Sequence, residues 1–102
     1  MELKVFWTET ALEMLEDIYA YYKSEANIDI AKHLVKKIVN RTLQLKTNPQ
    51  SGPREPLLEQ RKFEYRYLVE GNYKIIYWKE NNYVNIAAVF DTRQNPLKIR
   101  NV

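Results

Sequence analysis

Residues 66–93, RYLVEGNYKIIYWKENNYVNIAAVFDTR, decide the fold. Tyr73–Lys79 and Tyr83–Asp91 are rich in β-branched and aromatic side chains, and a short polar turn, Glu80-Asn81-Asn82, separates them. A further segment, Phe63–Val69, leads in through Gly71, so the simplest reading is a three-stranded antiparallel meander. Cations accompany the aromatics: Arg66 lies between Tyr65 and Tyr67, Lys74 beside Tyr73, Lys79 beside Trp78, and Arg93 just past the last strand. With a period of two, Tyr65, Tyr67, Tyr73, Ile75 and Tyr77 project to one side of their strands and Arg66, Lys74, Ile76 and Trp78 to the other. A working surface is expected here.

Upstream, the alternation of Leu3, Val5 and Trp7 with Lys4 and Phe6 predicts a strand over residues 2–7. Thr8 or Thr10 then caps a helix with Ala11, Leu15, Ile18 and Tyr22 on its apolar side, ending within residues 24–27. A second helix begins at Asn27 or Asp29, carries Ile30, Ala31, Leu34, Val35, Ile38, Thr42 and Leu45 inward, and stops at Asn48-Pro49. The short connection between them requires an antiparallel hairpin. An irregular Pro- and Gly-containing loop follows, and residues 94–102 read as no more than a tail or terminal turn. The order strand, two helices, three strands predicts one α+β domain over residues 1–102, with the helices on one face of the sheet and the other face open.

Composition narrows the function. No cysteine is present, which excludes disulfides and thiolate metal sites. No HExxH, P-loop or GxGxxG pattern occurs, so neither a metal nor a nucleotide cofactor is expected. The lone His33 reads as a surface helix residue. No leader-like or membrane-length apolar run is seen, which predicts a cytoplasmic protein with no membrane association. The net charge of +3 is unevenly spread: residues 1–25 carry −4, residues 26–53 carry +4, and residues 54–102 carry +3. The meander and its tail thus hold the excess, which favours an anionic partner, nucleic acid first.

Arg66, Lys74 and Arg93 are the candidate site. If they converge at one end of the sheet, they can hold phosphates, with a tyrosine available to stack on a base. Against this stand blander roles. The tyrosines would serve as cross-strand packing, the cations would be solvated, and Arg93 would pair with Asp91 or Glu70 to pin the tail.

The helix-ending LQLKTNPQSG with Leu45, Pro49 and Gly52, then Arg66, the GNYKIIY strand and Val89–Arg93, resembles the RelE/ParE superfamily of bacterial type II toxins over nearly the whole chain. The resemblance implies a growth-arresting toxin of the plasmid-stabilisation kind, neutralised by a cognate antitoxin protein, with a homodimer left open. Its two arms differ in target. ParE-like members poison DNA gyrase, whereas RelE-like members cleave mRNA on the ribosome without metal. In the nuclease arm basic residues around the scissile phosphate would be Arg66, Lys74 and Arg93. That arm also places a tyrosine or histidine in the tail for proton transfer, which residues 94–102 lack, so Tyr73 or Tyr77 would have to replace it. The reading therefore leans to gyrase. The alternatives are the metal-independent mRNA endoribonuclease, the only case in which the chain is itself an enzyme, and a non-toxic remnant that keeps antitoxin binding.

Overall fold

A computed structural model describes residues 2–102. The helical hairpin forms where caps and periodicity place it. The Thr8 hydroxyl accepts from the Ala11 amide at 3.2 Å and opens α1 (Glu9–Glu25), and the Asn27 side chain accepts from the Ile30 amide at 2.9 Å and opens α2 (Ile28–Arg41). Ala11, Leu15 and Ile18 of α1 and Ala31 and Ile38 of α2 are buried, whereas Ile30, expected inside, is 47% exposed at the start of its helix. The second helix does not run unbroken to Pro49. At Thr42, whose hydroxyl bonds back to the Val39 carbonyl at 2.7 Å, it tightens into a 3₁₀ turn over Thr42–Lys46 that still buries Leu45.

The predicted meander is present as β2 (Arg66–Glu70), β3 (Tyr73–Glu80) and β4 (Tyr83–Asp91). Two-residue turns join the strands, with the left-handed backbone they need supplied by Gly71 (φ +58°) and Asn81 (φ +56°). The N-terminal strand β1 (Lys4–Trp7) pairs parallel with β4, giving one four-stranded sheet in the order β1-β4-β3-β2. The hairpin is therefore part of a crossover between parallel neighbours, which holds it on one face.

Between β3 and β4, Ile76 opposes Ala88 but Tyr77 opposes Ile86, so Ala87 is an extra residue in a β-bulge. The bulge resets the alternation: Val84, Ile86 and Val89 all join the helix-side core with Leu68, Tyr73, Ile75 and Tyr77. The other face is not open, contrary to the sequence expectation. Ile76, Ala87, Ala88 and Phe90 are buried there against Leu58 of the Pro56–Leu58 turn and Ile99 of the tail. The tail forms a 3₁₀ segment, Pro96–Asn101, in which Ile99 is 1% exposed, and the Arg61 guanidinium donates to the Arg100 and Val102 carbonyls at 2.5 and 2.6 Å.

The loop between α2 and β2 is fixed to the helix-side core through Tyr77. Its hydroxyl donates to the Pro49 carbonyl at 2.8 Å and accepts from the Gly52 amide at 3.1 Å. A Cβ on Gly52 would lie 2.2 Å from the Tyr67 carbonyl oxygen, so only glycine fits.

Each of Ile38→Ala and Ile76→Ala is expected to cost about 2–5 kcal/mol in denaturant unfolding, one probing each side of the sheet. Ile99→Ala should fall in the same range. An unchanged midpoint for Ile99→Ala would show that the tail contributes nothing to the second core.

Candidate functional site

Strand register separates the three candidate cations. Arg66 opposes Tyr77, whereas Lys74 opposes Val69 on one side and Phe90 on the other. Arg66 thus shares the helix-side face with Leu68, and Lys74 shares the second face with Ile76, at the other end of the β2–β3 pair. Arg93 lies two residues past β4, beside Tyr73 and the flank of α1. The expected convergence of Arg66, Lys74 and Arg93 does not occur, because two of them alternate to opposite faces.

Each cation instead pairs with a carboxylate of the same chain. Arg66 donates to Glu64 at 2.9 Å and to the Gly52 carbonyl at 2.8 Å, and Arg54 reaches the same Glu64 at 2.6 Å. These guanidinium groups, Arg66 first, hold the Glu64 carboxyl below the usual carboxylate range, against the opposing effect of desolvation. Lys74 Nζ stands 2.6 Å from Glu55 Oε1 and 4.1 Å from the centre of the Tyr67 ring. The Arg93 guanidinium grips Asp91 bidentately at 2.9 and 2.8 Å, and its amide donates to the same carboxylate at 2.9 Å. Asp91 is correspondingly held below its ordinary value, chiefly by hydrogen bonds from Arg93, and Arg93 is held above its own, by Asp91 first and the Tyr22 hydroxyl second. The tail-pinning alternative for Arg93 therefore has its Asp91 pair.

Sequence reasoning missed Glu55 and Glu64. Glu55 is 1% exposed, and its Oε2 has no hydrogen-bond partner among the described residues. The only signal for it was an acidic residue between Arg54 and Pro56 in an otherwise basic half. The proposed proton donors are also constrained. Tyr77 is buried with its hydroxyl engaged by Pro49 and Gly52, and burial raises its pKa. Tyr73 is raised well above the ordinary 10.0, by burial first and then by the neighbouring Tyr22. Both tyrosines lie on the helix-side face, away from Lys74.

Two of the clefts in the surface bear on the faces these residues occupy. One, of about 530 Å³, runs between α1 and the end of β4 and is lined by Asp17, Tyr21, Tyr73, Asp91 and Arg93. The other, of about 440 Å³, opens on the second face beside Trp78. No helix among the described residues is long and apolar enough to cross a membrane.

A family model, described as the ParE toxin of the type II toxin-antitoxin system parDE, matches residues 5–96. The chain belongs to the ParE toxin family. It is therefore a RelE/ParE superfamily toxin of a type II toxin-antitoxin system, as the resemblance in residues 45–93 implied. Among solved structures it is similar to one titled as the chromosomal ParDE system from P. aeruginosa, with 18% identity and a TM-score of 0.74 over 88% of this chain and 96% of that one. It is also similar to the YoeB dimer from Staphylococcus aureus, with 19% identity and a TM-score of 0.55 over 87% of this chain and 95% of that one. At these identities the likeness is one of fold. No curated protein matches the chain in sequence.

Two predictions separate the roles of these charges within this ParE-family fold. Lys74→Ala leaves the Glu55 carboxylate buried and unpaired, and should cost about 3 kcal/mol or more in urea unfolding. Arg93→Ala breaks a pair whose arginine is more than half exposed, and should leave the midpoint essentially unchanged. A similar loss for both would mean that Arg93 serves the fold. The second concerns alkaline pH. Because the Tyr73 pKa is raised in the folded state, its contribution to stability is complete below about pH 10 and is lost as pH rises toward the folded value. Tyr73→Phe should therefore lose less stability than the parent between neutral pH and pH values above 10.

Proposed function

We propose that the chain arrests growth by poisoning DNA gyrase, and that an antitoxin encoded beside it holds it inactive. The observation that carries the gyrase reading is the ion-paired state of Arg66, Lys74 and Arg93, each within 2.6–2.9 Å of a carboxylate of its own chain. A metal-independent ribonuclease must stabilise a phosphorane dianion with cations free to turn to it, and must have a proton donor and acceptor beside the scissile bond. Here the cations are dispersed over two faces, and the tail, Gln94–Val102, supplies neither tyrosine nor histidine. The ParE family match over residues 5–96 supports the same arm. Binding to gyrase or a gyrase–DNA complex requires a surface and not a proton relay.

One observation favours the nuclease as a second reading. Glu55 holds the Lys74 ammonium through Oε1 and keeps a buried Oε2 without a partner among the described residues, a carboxylate–ammonium couple of the kind that attack by a ribose 2′-hydroxyl needs. In that reading Lys74 and Glu55 form the reacting centre on the second sheet face, and Arg66, on the opposite face, takes no part in it.

The two readings part in cells. Brief induction of the toxin should first raise the DNA-damage response under the gyrase reading, and should first deplete mRNA under the ribonuclease reading. The neighbouring gene product should co-purify with the chain in either case, and a neighbour that does not bind removes the antitoxin assignment. Arg93→Ala is expected to abolish growth arrest while leaving antitoxin binding and the melting curve nearly intact, since Arg93 stands exposed where the chain leaves the sheet. A fully toxic Arg93→Ala would remove that residue from the target surface.

A further inference from the structure

The cleft on the second sheet face has a chemistry that gyrase poisoning does not use. Trp78 projects to this face from β3, and Phe63 stacks on its ring at 5.6 Å and 22° while Tyr65 leans against it at 5.5 Å and 54°. Tyr65 and Trp78 line the cleft together with Ala87 and Phe90 of β4 and Lys98 and Asn101 of the tail. Ala87, the extra residue of the bulge, lines this hollow with no more than a methyl group. Its volume, about 440 Å³, lies in the ordinary range for a small planar ligand.

Charge selects the occupant. Among the described residues no aspartate or glutamate lines this cleft, although Glu80 accepts from the Trp78 indole N–H at 3.4 Å at its edge. Asp17 and Asp91 line the cleft beside α1, and Glu55, Glu59 and Glu64 line a further one beside Arg54. Lys98 contributes an ammonium, and Gln94 and Asn101 contribute amides that both donate and accept. Lys62 stands 5.6 Å from the Phe63 ring at the edge of the same aromatic cluster. A flat ring with polar edges and an attached anion matches this set. Thr8, Thr10 and Met14 complete the lining, but the aromatic rings, the amides and the ammonium all come from residues 54–102, which carry a net charge of +3.

We propose that this cleft is a stacking subsite for one base of a single-stranded nucleic acid, with Trp78 and Tyr65 contacting the ring and Lys98 the adjoining phosphate. A duplex is disfavoured because its bases are already stacked on both sides and enter a pocket only by being flipped out. Lys98 and Asn101 lie beyond residues 5–96, the span shared with the family, so the subsite is built partly from chain outside that match. The inference is independent of the gyrase reading, which stands or falls on the order of events in induced cells.

The test uses the purified full chain, short labelled single-stranded DNA and RNA oligonucleotides, and a duplex of the same length. In Trp7→Phe protein Trp78 is the sole indole, and its emission should be quenched saturably by single strands at low salt. In anisotropy titrations Trp78→Leu should weaken binding at least about fivefold, the smaller end of base–aromatic stacking. Lys98→Gln should lower the slope of log affinity against log salt by about 0.7, one phosphate contact to a single strand. Trp78 packs on Phe63, so if Trp78→Leu fails to fold, the quench and the Lys98→Gln slope decide. Absence of quenching, a salt slope unchanged by Lys98→Gln, or a duplex bound as tightly as single strands would each overturn the proposal. Quenching by RNA alone or DNA alone would support it and name the strand.

Discussion

Strand β3 is central to the sheet and is covered on both faces, and this two-sided burial is the constraint on which the rest of the molecule depends. Tyr73, Ile75 and Tyr77 face the hairpin while Ile76 faces the second core, and all four are buried. The helices can cover only one side. The chain therefore has to return twice to the other, once as the loop before β2 and once as the tail, and it does so with single apolar anchors, Leu58 and Ile99. Small side chains on β4 complete the fit, because the bulge turns Ala87 and Ala88 toward the same layer.

That constraint also explains the carboxylates. A lysine in a strand whose two faces are both covered cannot extend freely into water, and Lys74 is only 20% exposed. Burying an ammonium without a counter-charge is costly, so the loop that covers Ile76 also delivers Glu55. The pair at Arg93 differs in kind. It is exposed, its geometry is bidentate, and it contributes orientation more than stability, holding the guanidinium where the last strand ends. One ion pair thus belongs to the core and the other to the surface, although both read in the sequence as a cation beside an aromatic strand.

The readable parts of the sequence were those with local causes. Thr8 and Asn27 announce helix starts through side-chain oxygens that bond amides three residues on, and Ala11, Leu15 and Ile18 announce a face by spacing alone. Gly71 and Asn81 announce turns because they take up left-handed backbone. What the sequence hid was set by partners distant in the chain. The parallel pairing of β1 with β4 leaves no mark in either strand, and the bulge at Ala87 is invisible until Ile76 and Tyr77 choose partners two residues apart on β4 where one is normal. The tail reads in sequence as no more than a tail or terminal turn, because three apolar residues in a short polar stretch give no sign that Ile99 is a core anchor. The same limit governs the site: Arg66, Lys74 and Arg93 were visible as residue types, but whether they share a face depends on cross-strand register, and that separates Arg66 from Lys74.

The distinction between holding a target and cutting one then reduces to mobility of charge. A cation already satisfied by its own carboxylate can meet a phosphate only by exchanging one partner for another, and the exchange gains little unless the abandoned carboxylate finds compensation. Asp91 keeps 22% of its side chain in water against 1% for Glu55, so Arg93, itself 55% exposed, is the cation whose release costs less. Releasing Lys74 would leave a buried carboxylate with both oxygens unpaired, since Oε2 has no partner among the described residues even now. The energetic order of release, Arg93 before Lys74, agrees with the proposed use of the outer end of β4 in target binding, and it leaves Lys74 and Glu55 as a unit whose separation would cost the fold.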